Sequence, residues 1–171
     1  EATDCYRLFH GTNEGVPGLT IDRYGSYMLI QTWRETIDLT LLPALVGAVD
    51  SELGLSLTPV WNHRGKRGEV DHDLHSIELP FSASGSEMGL TYEVIPRHQG
   101  IDPLLFLDFR AGRRHIRTMA AQKSVLNLFS YTCGMGVVAA SAGAREVVNV
   151  DFSKTVLQVG ETNAFKNGCS D

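Results

Sequence analysis

The sequence predicts an α+β unit of strands with one helix, followed by the first half of a Rossmann-like α/β domain. Three observations carry that expectation. Residues 125–151 read as strand, tight turn, helix, strand and acid, the order in which an open α/β sheet holds a nucleoside. Ahead of residue 97 short runs alternate apolar and polar residues with the period of half-buried strands, and one run between them has helical spacing. The stretch Pro96-Arg97-His98-Gln99-Gly100-Ile101-Asp102-Pro103 has the turn-forming composition of a crossing between domains, which divides the chain into 1–97 and 98–171.

In order, Leu19 to Arg23 and Tyr27 to Trp33 are β-rich runs joined across Tyr24-Gly25-Ser26, a predicted hairpin. Leu39, Leu42, Leu45, Val46, Val49 and Leu53 then recur at helical spacing. With Thr40 as N-cap, Pro43 falls in the first turn, where a missing N–H costs little. Leu57 to Asn62, Ser76 to Leu79 and Leu90 to Ile95 are the next expected strands. A helix follows from Phe109 to Ala121 with Asp108 as its N-cap. Phe109, Ile116, Met119 and Ala120 can face a core, while Arg110, Arg113, Arg114 and Arg117 at i, i+3, i+4 and i+7 share one side. Strand Ser124 to Phe129, helix Gly134 to Ala142, strand Glu146 to Val150 and helix Ser153 to Asn167 complete the chain.

Composition narrows the function. With 15 Lys and Arg against 20 Asp and Glu, the net charge of −5 argues against strong non-specific nucleic-acid binding by the whole chain. No stretch approaches the roughly 20 apolar residues of a membrane span, and no basic-then-apolar leader opens the sequence. A soluble, cytoplasmic protein is expected. Cys5, Cys133 and Cys169 are odd in number and widely spaced, which suggests neither a disulfide framework nor a metal site. His72 and His75 beside Asp71 and Asp73 lack a third ligand in a matched position and read as a polar loop. Trp33, Trp61 and Phe81 in amphipathic strands read as core before base-stacking residues.

The stretch from Thr132 to Gly136 is short enough in side chain for a ligand to approach the backbone at a helix N-terminus. Asp151 stands at the tip of the second strand, placed to accept hydrogen bonds from ribose hydroxyls. Ser153 is the better N-cap for the last helix by position, so the two acceptors need not compete. A dinucleotide would call for G-x-G-x-x-G, and only Gly134-x-Gly136 is present, so phosphate cradling is poorly supported. The arginine face has two readings, contact with RNA phosphates or a solvated helix side. The loop His63-Arg64-Gly65-Lys66-Arg67-Gly68 is a second basic spot.

Four words in order carry a family resemblance. Asn127-Leu-Phe-Ser-Tyr-Thr-x-Gly134 resembles the first cofactor motif of class I S-adenosylmethionine-dependent methyltransferases, in the branch that modifies large-subunit ribosomal RNA. Leu105-Phe106-Leu107-Asp108-Phe109-Arg110 is similar to that branch's pre-motif, and Asn163 to Gly168 to the end of its second helix. Cys5 to Leu8 with Gly15 to Tyr24 resembles the opening of the domain ahead of the catalytic one.

The resemblance implies S-adenosyl-L-methionine as cofactor, held by Phe106, Asp108, Arg110, Asn127, Phe129, Ser130, Tyr131, Thr132, Cys133, Gly134, Asp151, Phe152 and Ser153. It implies large-subunit ribosomal RNA as substrate, cytosine C5 ahead of guanine N7; by charge and placement Arg64, Lys66, Arg67, Arg113, Arg114 and Arg117 are the candidate RNA contacts, and no metal is expected. Cys133 departs from the pattern, which commonly has glycine there; it either strains a left-handed backbone or packs against the ligand. The family's third-strand acid, its Asp-Pro-Pro-type motif and its later cysteine have no counterpart in these residues. The chain is therefore expected to be part of a longer enzyme, inactive by itself and prone to dimerise through exposed sheet edges. A nicotinamide-dependent oxidoreductase and a non-catalytic RNA-binding module are the two other classes considered.

Overall fold

The computed structural model describes residues 2–33, 35, 37–64, 70–72, 82–96 and 103–169. Two compact units emerge, each discontinuous in sequence: Asp4–Gly85 with Ile95–Ile101, and Glu1–Thr3 with Ser86–Val94 and Asp102–Asp171.

The first unit is a five-stranded sheet in the order β1 to β5: β1 (Cys5–Phe9), β2 (Leu19–Tyr24), β3 (Tyr27–Trp33), β4 (Thr58–Arg64) and β5 (Val70–His72). β2 and β3 form the expected hairpin, in register from Leu19 opposite Thr32 to Tyr24 opposite Tyr27. β4 runs parallel to β3, so the chain must cross over between them, and α1 (Leu42–Leu53) is that crossover. Leu42, Leu45, Val46, Val49 and Leu53 pack on a core of Leu19, Ile21, Met28, Ile30, Leu57 and Trp61. Trp61 is 6% exposed and its indole N–H donates to the Thr32 hydroxyl at 3.2 Å, the core role expected of it. Thr40 does not cap α1. Its hydroxyl donates to Asp38 Oδ1 at 2.7 Å, a short 3₁₀ turn (Leu39–Leu41) precedes the helix, and Pro43 sits in the helix's first turn.

β1 and β5 were not legible. β1 is irregular, its register with β2 shifting between Arg7 and Phe9, and β5 has only three residues. The expected strand Ser76 to Leu79 and Phe81 lie outside the described residues.

In the second unit Ser86 and Glu87, the end of β6 (Ala83–Glu87), lead across Met88 and Gly89 into its partner β7 (Leu90–Val94), and both turn residues have positive φ as a type I′ hairpin turn requires. α2 (Arg110–Met119) begins one residue later than expected, and Asp108 is exposed and makes no cap bond to it. β8 (Ser124–Leu128) and β9 (Glu146–Val150) pair in parallel, with α3 (Gly134–Ser141) as their crossover. Gly136 permits a close approach of helix to sheet, since a Cβ there would lie 2.2 Å from Asn149 Oδ1. Val125, Asn127, Val147 and Asn149 are half-buried, whereas Leu126 (64%), Leu128 (55%), Val148 (45%) and Val150 (45%) on the other face are exposed. No helix among the described residues is long and apolar enough to cross a membrane.

α4 (Lys154–Lys166) docks on β7 through two amides that imitate a neighbouring strand. The Asn167 side chain accepts from Thr91 N at 2.9 Å and donates to Thr91 O at 2.7 Å, and Asn163 accepts from Glu93 N at 2.7 Å. Replacing Asn167 by Ala leaves the Thr91 donor and acceptor without these partners, which costs about 1–3 kcal/mol. Chemical denaturation should show that loss at unchanged m-value; a change within the error of the method would mean the amide ladder does not secure the helix.

Candidate functional site

The turn between β8 and α3 is held in an unfavourable backbone conformation. Phe129, Tyr131 and Cys133 have φ of 53°, 50° and 60°, in a region where a residue with a Cβ is disfavoured by about 1–2 kcal/mol. Such strain persists only where the surroundings over-determine it, and here they do. Ser130 N donates to Val150 O at 3.0 Å and Cys133 N to Ser130 O at 2.8 Å. The Thr132 hydroxyl donates to Leu104 O at 2.6 Å, while the Thr132 carbonyl accepts from Asn163 Nδ2 at 3.0 Å. Tyr131 N donates to Asp151 Oδ2 at 2.9 Å.

Asp151 therefore ties the tip of β9 to the turn. Its other oxygen accepts from Ser153 N at 3.0 Å. The backbone donors of Ser153 and Tyr131 hold its carboxyl below the usual aspartate range, so it is ionised at neutral pH. Each carboxylate oxygen can accept a further hydrogen bond, and a vicinal diol offers two donors. Ser153 occupies the N-cap position of α4 but makes no side-chain cap bond.

Beside the turn lies a cavity of about 280 Å³. Phe106, Asn127, Phe129, Ser130, Tyr131, Thr132 and Gly134 line it, seven of the residues singled out from sequence. Tyr131 and Phe106 have ring centroids 5.1 Å apart, and Phe109 adds a third ring 6.1 Å from Phe106. Asn127 Nδ2 donates to Asn149 Oδ1 at 2.9 Å, which fixes the orientation of the amide on the cavity wall. Phe152 is 93% exposed, next to Asp151.

Other assignments part from this cluster. Cys133 does not face the cup. It lines a different cavity with Gly136, Val137 and Asn149, and its Sγ fills the space over Gly160, where a Cβ would lie only 2.3 Å away. Burial pushes its thiol pKa up against the opposing Ser130 contact, and burial raises that of Cys169 as well, so neither is an activated thiolate. Arg110 and Arg114 line a third cavity, and Asp108 is exposed. Arg113 contradicts the picture of four arginines on one solvated or RNA-facing side. It is 3% exposed and forks onto Glu87, Nε to Oε2 at 2.5 Å and Nη2 to Oε1 at 2.9 Å. A third bond, Nη2 to Phe106 O at 2.8 Å, fixes the strand of chain that carries the cup's aromatic wall. A helical wheel places Arg113 at the margin of the arginine face, and the buried Glu87 draws it inward; a lone acid after a Ser-Gly-Ser run gave no sign of this. In the first unit Arg64 lies over the Trp33 ring at 4.9 Å. Lys66, Arg67 and His75 lie outside the described residues.

A family profile described as S-adenosylmethionine-dependent methyltransferase matches residues 7–170. The chain belongs to that family. Ribosomal RNA large subunit methyltransferase I of Shigella flexneri is 31% identical over 170 residues, covering 98% of this chain and 43% of the relative. Among solved structures, a Streptococcus mutans protein described as a methyltransferase dependent on S-adenosylmethionine superposes with a TM-score of 0.78 at 29% identity. It covers 97% of this chain and 43% of its own. A methyltransferase structure complexed with S-adenosylhomocysteine gives a TM-score of 0.79 at 29% identity and the same coverage. The chain thus spans under half the length of these relatives. These neighbours have a Rossmann-like α/β fold, and this chain's mixed α/β structure agrees with them.

The strained turn generates a direct test. Gly160→Ala must displace Cys133 and costs about 1–3 kcal/mol. Cys133→Gly removes both the obstruction and the left-handed strain, so in that background Gly160→Ala should be nearly neutral. A double-mutant cycle by denaturant unfolding should give a coupling above about 1 kcal/mol; additive effects would show that the two positions do not share this space.

Proposed function

We propose that the cup between the 129–133 turn and the Phe106 segment binds S-adenosyl-L-methionine, and that the full-length protein transfers its methyl group to a base of large-subunit ribosomal RNA. The observation that carries this reading is the ionised Asp151 at the tip of β9, tied to Tyr131 N and still able to accept ribose hydroxyls. The group fits the residues present: a diol for the carboxylate, and a mixed aromatic and backbone-lined cavity for the rest of a nucleoside thioether. When bound, the cofactor supplies a methyl group activated on a sulfonium.

In this reading Asp151 orients the sugar, Phe106 and Tyr131 cover apolar surface, and the Ser130 to Gly134 backbone holds the polar end. None of these residues moves a proton. Their contribution is to fix the methyl donor in place, so that transfer needs little further reorganisation. Phe152 and Ser153 flank the ribose position, and Arg110 and Asp108 are left without a cofactor contact. Ribosomal RNA as substrate is supported by the names of the relatives, and a cytoplasmic location belongs to the same reading. Cytosine C5 as the acceptor rests on the motif resemblance alone. Dimerisation of this chain through the open edges and uncovered face of β8 and β9 belongs to the same reading.

Asp151→Asn keeps an acceptor for the turn but removes the charge. In the full-length protein it should weaken S-adenosylhomocysteine binding by about 10- to 100-fold in isothermal titration calorimetry, the loss of one charge-assisted hydrogen bond. Undiminished affinity with intact folding would remove the ribose assignment.

A further inference from the structure

The sheet of the first unit carries a polar row on the face turned away from α1. Side chains alternate along each strand, so Leu19, Ile30 and Trp61 belong to the core under the helix, while Thr20, Gln31 and Asn62 point the opposite way. Register makes these three neighbours, Thr20 opposite Gln31 and Gln31 beside Asn62, and two residues further along the strands it pairs Trp33 with Arg64. Thr20 is 9% and Gln31 4% exposed, yet Thr20 Oγ1 and Gln31 Oε1 have no hydrogen-bond partner. Arg64 Nε is likewise buried and donates to nothing. The Arg64 guanidinium lies 4.9 Å from the centre of the Trp33 ring, and among the described residues it makes no hydrogen bond or ion pair. Trp33 and Arg64 are half-buried, so solvent reaches the end of the row that they form.

Buried polar atoms are ordinarily paired, because leaving them dry costs free energy. Here an acceptor, a hydroxyl that can donate or accept and a planar donor stand in adjacent rows beside an aromatic ring. That combination suits an unpaired RNA base, which is recognised by stacking on aromatic rings and guanidinium planes with hydrogen bonds to its edge. A phosphate diester suits it less, since it has no N–H to give to Gln31 Oε1. We propose that Thr20, Gln31, Trp33 and Arg64 form a subsite for one unpaired nucleobase of the RNA substrate, on a different unit from the methyl-donor cup. This rests on the RNA reading given above. Trp33 and Arg64 supply the stacking planes, and Gln31 and Thr20 meet the base edge.

The test is RNA binding by the full-length protein, measured by fluorescence anisotropy with a single-stranded large-subunit ribosomal RNA fragment across a salt series. Trp33→Leu should lower affinity by roughly 5- to 100-fold, the loss of one stacked base, and leave the slope of log K against log salt unchanged. Trp33→Phe should restore most of that affinity. Gln31→Met removes an unpaired buried acceptor, so it should weaken RNA binding by about 2- to 10-fold while the unfolding midpoint holds or rises. Arg64→Lys keeps the charge but loses the plane, and RNA affinity should fall with it. Wild-type RNA affinity in Trp33→Leu and Gln31→Met would overturn the subsite and leave the RNA reading intact. Wild-type affinity in Arg64→Lys would make Arg64 a phosphate contact and overturn the base assignment. Absence of RNA binding by the wild type would overturn both readings. A lowered unfolding midpoint in Gln31→Met, or loss of S-adenosylhomocysteine affinity in step with RNA affinity, would assign these side chains to the fold and would also overturn the subsite.

Discussion

Three residues with side chains in the left-handed region within five positions make the 129–133 turn a conformation the chain would not choose alone. What holds it is a set of polar contacts converging from different parts of the second unit: Asp151 on Tyr131, Leu104 and Asn163 on Thr132, Val150 on Ser130. Each tie also places something else. Asp151 brings the tip of β9 to the turn, Leu104 brings the segment that carries Phe106, and Asn163 brings α4, whose amides in turn secure β7. The cavity wall is a consequence of these ties, because Ser130, Tyr131 and Thr132 face it only while the backbone alternates as it does. A cradle held this way needs little rearrangement when a ligand enters, and strain at a binding turn is the usual companion of that pre-organisation.

The buried pair of Glu87 and Arg113 is the second constraint. Desolvating two charges is unfavourable, and such pairs rarely stabilise a fold more than well-packed apolar residues would. Its value here lies in placement. One guanidinium neutralises Glu87 and holds the Phe106 carbonyl, so the buried acid and the aromatic wall of the cup share an anchor. Removing it would strand a buried carboxylate and release the segment that carries Phe106.

Much of this was legible in the sequence, for identifiable reasons. The strands β8 and β9 and the helix between them follow from apolar runs broken at Thr132 to Gly136 and ended by Asp151, so the core of the site could be located before any coordinates. The face of α1 that packs on the sheet follows from its leucine and valine spacing. Three things were hidden. Side-chain capping by Thr40 and Asp108 depends on rotamers and local turns, and Asp38 takes the Thr40 hydroxyl instead. The direction of Arg113 depends on a buried acid 26 residues away. The facing of Cys133 depends on φ at one residue, which turns its thiol from the ligand side toward Gly160. Long-range pairing and backbone sign are not written in periodicity, and each of the missed assignments turns on one of them.

A preformed cradle is tested most directly by amide hydrogen exchange, read by NMR, in protein free of cofactor. Tyr131 and Cys133 N–H should then be protected to about the same degree as amides within α3, because their acceptors Asp151 and Ser130 are already in place, and S-adenosylhomocysteine should deepen that protection. Rapid exchange at both amides without ligand would contradict pre-organisation and would mean that the turn is built only when a ligand binds.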